Sequence, residues 1–237
     1  MKKSKVGFVT KLISCISVIT LIISCCVFAS NGDVTYSIDE IQNRFEVFRV
    51  INYESPTFSE DGTLTRGKMA EIIGRLHGFG TPNTMPPIED CFNDVTYTHS
   101  QYYWILIAKN NFLINGDENA CFRPDENITE IDAVKMLLTF AGYDWMAEAC
   151  GGYPQGYASA AKILRLTDEA EDLTAVPMTK DKLLRILNSF IDLRQTGVDE
   201  NGKVILAEED ERTGGNGTMK DWLKLNAYGI QDPFEVE

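Results

Sequence analysis

Among the threonines followed by an ionisable side chain, three stand in matching contexts, in the pairs Thr65-Arg66, Thr129-Glu130 and Thr179-Lys180. A base in this place can pair with a carboxylate. Arginine does so through two parallel hydrogen bonds, and lysine as a point charge without the planar fork. An acid there repels the same ligand. The plain alternative is a solvated base in the first turn of a helix, where it needs no ligand at all.

Other chemistry is thinly represented. His77 and His99 stand apart from each other and from any cysteine. The chain contains no phosphate-binding glycine loop, dinucleotide fingerprint, nucleophile elbow or metal-spaced histidine pair. Acids are so abundant, 35 in all, that two of them lying close in sequence means little. No enzyme activity and no cofactor is expected. Cys91, Cys121 and Cys150 are too few and too scattered for a disulfide framework or a zinc site. They read as free thiols, with one optional bridge between Cys91 and Cys121.

The elements that position the three pairs form a repeat. Aligned on the threonines, Met69, Ala133 and Leu183 fall four residues on, and Ile72, Met136 and Ile186 seven on. Ile73, Leu137 and Leu187 follow at eight, then Leu76, Phe140 and Phe190 at eleven. That spacing lines one face of an α-helix. Each threonine can cap its helix, and the apolar residue before it (Leu64, Ile128, Met178) can staple to the residue four beyond the cap. Upstream, Asp33-Val34-Thr35-Tyr36 matches Asp94-Val95-Thr96-Tyr97, and Phe58 matches Phe122. A first helix is expected at roughly residues 38–51, 101–112 and 157–166 of the three copies. Each copy is then helix, loop, helix, and three such units must pack together to bury their apolar faces.

The first 29 residues read as a cleaved export signal: four lysines, an apolar run from Leu12 to Ala29, and Val27-Phe28-Ala29 at the cut. Ile22-Ile23-Ser24-Cys25 offers lipid attachment at Cys25 as a secondary reading, and a single-pass anchor is disfavoured by Ser14, Ser17, Thr20 and Ser24 within the run. No membrane span is expected after cleavage. The formal net charge of −13 includes those four lysines, so the mature chain is more acidic still. Such a surface excludes nucleic acid and anionic membrane as partners, and any anion site must be a local basic pocket.

Phe92-Asn93-Asp94-Val95, Tyr103-Trp104, Ile114-Asn115-Gly116-Asp117, Phe122-Arg123-Pro124 and Ile128-Thr129 occur in that order in the second copy. This unit resembles the S-layer homology domain. The third copy, with Gly151-Gly152-Tyr153-Pro154, is similar to divergent third repeats of such proteins. The resemblance implies a mostly all-α fold, a pseudo-threefold spindle of three repeats around a central bundle of second helices. Their expected bounds are 33–80, 88–143 and 144–194. It also implies a secreted, non-catalytic protein of the bacterial cell surface, holding secondary cell-wall polysaccharide through a pyruvylated sugar in grooves between repeats. Carried over to this chain, the ligand-binding residues are Arg66 and Lys180, with Thr65, Thr179, Trp104, Gly116 and Asp117. Glu130 breaks the pattern, so at most two grooves should work, the best on Arg66. Plainer roles are a core anchor for Trp104, backbone geometry for Gly116 and a self-satisfied turn for Asp117. A degenerate module that binds protein in place of glycan is the alternative.

Residues 195–237 form a C-terminal extension too small to stand alone. A hairpin turn is expected at Asn201-Gly202 and a short helix from Met219 to Leu225, capped by Thr218. The extension either packs on the repeats or offers an edge to other surface proteins.

Overall fold

A computed structural model describes residues 35–52, 55–78, 91–168, 170–198, 204–206 and 217–226. The expected export signal, the turn at Asn201-Gly202 and the acidic run Glu208-Glu209-Asp210-Glu211 lie outside the described residues. The chain divides into Met1–Tyr36 and Ser37–Glu237, and every element below belongs to the second unit.

That unit is mostly helical, as expected. Its elements run α1 (Ile38–Val47), α2 (Arg66–Leu76), α3 (Tyr102–Asn110), α4 (Glu130–Phe140), α5 (Asp144–Ala149), α6 (Gln155–Ile163) and α7 (Lys180–Phe190). Then come β1 (Thr196–Val198), β2 (Val204–Leu206) and α8 (Met219–Asn226). The helices α2, α4 and α7 begin one residue after the three threonines and are 11 residues long each. Thr65 and Thr129 accept hydrogen bonds from the amides of Lys68 and Asp132, both at 3.2 Å. Thr179 makes no such side-chain cap. Both members of each expected staple are buried.

The approach segments to these three helices are joined in a closed ring. Isolated β-bridges pair Thr65 with Asn127, Thr129 with Pro177, and Thr179 with Thr63, so each cap meets the residue two before another cap. The bonds around the ring repeat at the same offset. The amides of Arg66, Glu130 and Lys180 donate to the carbonyls of Glu126, Val176 and Gly62 at 2.9, 2.9 and 2.8 Å. At the opposite ends of the helices, His77 lies 5.8 Å from Phe140 and Phe140 lies 6.2 Å from Phe190, centroid to centroid. The ring and the aromatic contacts hold both ends of one bundle.

The first helices pack in the same rotary sense: α3 lies on α2, α6 on α4, and α1 on α7. Each of α3, α6 and α1 therefore covers a helix other than the one expected to follow it in its own helix-loop-helix unit, a partner that local periodicity does not reveal. Trp104 of α3 shows the fit. Its ring would sit 2.5 Å from a Cβ on Gly74 of α2, and the Arg75 guanidinium lies 4.7 Å above it. At the α1–α7 contact, Arg44 donates to Asn188 Oδ1 at 2.8 Å.

The extension packs on the helical body. β1 and β2 pair antiparallel with Thr196 opposite Leu206 and Val198 opposite Val204. The Thr196 amide donates to the Ala141 carbonyl at 2.9 Å, and its hydroxyl to the Gly142 carbonyl at 2.6 Å. Gly142 has φ +80°, and a Cβ there would stand 2.0 Å from the Thr196 carbonyl oxygen, so only glycine allows the approach. The α8 amides of Met219 and Lys220 donate to Leu193 and Ile191, and Met219 and Leu223 are buried.

Candidate anion-binding groove

A groove of about 150 Å³ opens where the start of α2 meets α4 and the loop after α3. It is lined by Arg66, by Leu113 to Gly116 of the loop after α3, by Phe122, and by Asp132, Lys135, Met136 and Thr139 of α4. The last four fall at helical spacings of 3, 1 and 3, so α4 contributes one face.

Arg66 is oriented before any ligand arrives. Its Nε donates to the Phe122 carbonyl at 2.8 Å, and its guanidinium carbon lies 4.8 Å from the centre of the Phe122 ring. Phe122 is itself fixed: its ring stacks on Phe92 at 5.3 Å, and its amide donates to Asp94 Oδ1 at 2.8 Å. Asp94 Oδ2 takes the Arg123 amide at 2.6 Å, so one carboxylate holds two successive amides. Using Nε in the bond to Phe122 leaves the two terminal nitrogens as the arginine's fork. One of these, Nη1, lies 3.5 Å from Asp132 Oδ2, a loose pair with both side chains partly exposed.

Asp132 also accepts from the Tyr153 hydroxyl at 3.1 Å, and Lys135 Nζ stands 5.0 Å over the Tyr153 ring. Burial first, then the Asp132 charge, raises the Tyr153 phenol above the ordinary tyrosine range, so it remains a hydrogen-bond donor. Two cations, one carboxylate and a half-exposed aromatic thus meet around the groove. Separate segments of the chain contribute: Arg66 from α2, Asp132 and Lys135 from α4, and Tyr153 from the loop before α6.

Among the expected ligand residues, the structure brings Arg66 and Gly116 to this groove. A Cβ on Gly116 would lie 2.9 Å from the Phe92 ring, so a side chain would push the loop against its support. Thr65 caps the helix that carries Arg66. Trp104 is 4% exposed and packs against Gly74, away from the lining. Asp117 closes its own loop, with Oδ1 accepting from Asn119 at 2.8 Å and Cys121 at 3.0 Å while Arg123 donates to Oδ2. Those two amides, Cys121 first, and then Arg123 hold its carboxyl below the ordinary aspartate value. Lys180 and Thr179 stand at a different point of the ring, where they meet Gly62 and Thr63.

The helix-start amides do not serve an anion. In α2 the Arg66 and Gly67 amides donate to Glu126 and Pro124, and in α4 those of Glu130 and Ile131 donate to Val176 and Thr174. The ring consumes them, so only side chains in the groove are left to meet an anion. Sequence reasoning also missed Lys135, Asp132 and Tyr153. The α4 face was readable as a helical stripe, but the ring decides that it meets Arg66. Cys91, Cys121 and Cys150 are free thiols, and no group of histidine, cysteine and acids among the described residues could hold a metal ion.

Fold and site together define a mostly helical protein with a groove carrying two cations between α2 and α4, and no helix among the described residues is long and apolar enough to cross a membrane. No family model matches the chain. Over 117 residues, 49% of its length, it is 23% identical to a middle cell wall protein of Brevibacillus brevis. Over 95 residues, 40% of its length, it is 25% identical to a surface layer protein of Brevibacillus choshinensis. The matched stretches are 11% and 8% of those two proteins, so the chain spans a small part of each. It is thus similar to proteins of the bacterial surface layer and cell wall.

Proposed function

We propose that this protein is a non-catalytic component of the bacterial cell surface that attaches to the wall by binding an acidic secondary polysaccharide in the Arg66 groove. The observation that carries the reading is Arg66 itself. A guanidinium stacked on Phe122 and bonded through Nε is aimed in advance, so less side-chain entropy is lost when a carboxylate arrives. A pyruvylated sugar supplies such a carboxylate, which would replace the loose Asp132 contact, with Lys135 as a second cation beside it. Tyr153 and Asn115 offer the ring face and the polar partners that a sugar needs.

The distant likeness to cell-wall and surface-layer proteins supports the location, and the three aligned helix starts support a spindle of three S-layer-homology-type repeats. Export through the first 29 residues completes the reading. A second reading has one observation behind it: Asp132 already pairs with Arg66, as it would in a module that kept the fold and turned to protein partners.

A sedimentation assay of the purified protein with wall sacculi decides between them. Wild type should pellet with sacculi that carry their polysaccharide, and Arg66→Ala should lose at least about tenfold in affinity, the effect of removing one charge-assisted pair. Equal pelleting of both proteins would remove Arg66 from the mechanism.

A further inference from the structure

Where α4 meets the third copy, the position equivalent to Arg66 holds Glu130, and the chemistry is inverted. Arg66 and Glu130 are each the first residue of their helix, and each reaches the third residue of the next helix in the ring. Arg66 pairs with Asp132 at 3.5 Å, and Glu130 pairs with Lys182 at 2.9 Å. The two pairs differ in closure: the Arg66–Asp132 side chains are 22% and 29% exposed, those of Glu130 and Lys182 only 9% and 15%.

The Glu130 carboxylate is held on both oxygens. Oε1 takes the Lys182 ammonium, while Oε2 accepts from the Thr174 amide at 3.0 Å and the Thr174 hydroxyl at 3.2 Å. Lys182 is oriented in turn by Glu171 at 2.8 Å. An ammonium, a backbone amide and a hydroxyl converging on two oxygens are what a receptor for a small carboxylate requires. Burial alone would lower the Lys182 pKa, but its bonds to Glu171 and Glu130 outweigh that and raise it, so the ammonium stays charged.

We propose that this second junction is a carboxylate-binding site that the chain fills with its own Glu130, so that an external acidic ligand is kept out of it. The acid residue is then an internal ligand. Its bonds to Thr174 and Lys182 also tie the third copy to the second. The exclusion of an external ligand rests on the function proposed above, whereas the self-filled site does not depend on it.

Chemical rescue tests it in the full mature chain. Glu130→Ala removes the carboxylate and leaves Lys182 and Thr174 as an empty receptor. Its melting temperature should fall, and acetate at about ten times its dissociation constant should raise it by about 4 °C over chloride at equal ionic strength. Wild type, Glu130→Gln (its amide still fills the space) and Glu130→Ala/Lys182→Met should not respond to acetate beyond chloride. An equal acetate response in wild type or in the double variant would overturn the proposal. So would a Glu130→Ala chain that melts identically in both salts or stays unfolded at every acetate concentration. Loss of sacculus binding by Arg66→Ala has no bearing on this result, and failed rescue leaves the Arg66 groove intact.

Discussion

Arg66 takes its direction from a single neighbour, since Phe122 supplies both the carbonyl under Nε and the ring beneath the guanidinium. That neighbour is steadied by Asp94 and Phe92, and the loop between them by Asp117. Asp117 is thus a positioning residue, in keeping with the self-satisfied turn that its sequence context offers. Its folded-state carboxyl is more acidic than in the unfolded chain, so its contribution is present above the ordinary aspartate value near 3.9 and is lost as pH falls through the lower folded value. Titration followed by carbon-detected NMR should give Asp117 a midpoint below that ordinary value. Asp117→Asn should lower stability at neutral pH and make the acid limb of the stability curve shallower. An ordinary midpoint would mean that the Asn119 and Cys121 bonds do not persist in solution.

At the scale of elements, the second helices were legible to the residue because a staple and a helical apolar stripe agree at Thr65, Thr129 and Thr179, with a side-chain cap formed at the first two. The first helices were placed but read too long. Each ends at a residue with left-handed backbone that is not glycine: Arg49 at φ 59°, Phe112 at 58° and Arg165 at 56°. In all three the following amide reaches back five residues, Val50 to Phe45, Leu113 to Ala108 and Leu166 to Ala161, at 2.9 Å each. That is a Schellman turn without its usual glycine, so the stop signal was missing from the sequence. The short helix α5, with no side-chain cap, was likewise not foreseen. Phe112 is 84% exposed, so its ring is held by little while its backbone bears the cost of the left-handed region. Phe112→Gly should stabilise the protein by about 0.5–1 kcal/mol, seen as a higher urea midpoint with an unchanged slope. A lower midpoint would show that the ring contributes packing worth more than the backbone strain.

Across the whole molecule, the closed ring of bridges explains both what was legible and what was not. Periodicity identifies three helices with buried faces, but their order of contact depends on bonds between segments more than 40 residues apart, such as Ile128 to Leu64. The ring makes the junctions nonequivalent in charge: Arg66 with Asp132 and Lys135 in an open groove, Glu130 with Lys182 in a closed one. An acidic chain of net charge −13 that is to hold an acidic polymer must do so in such a local basic place. Isothermal titration of the mature chain with wall polysaccharide, intact and after mild acid removal of its pyruvyl groups, tests this most directly. Affinity should fall at least tenfold once the carboxylates are gone, about 1.4 kcal/mol. Equal affinity for the two polymers would contradict it.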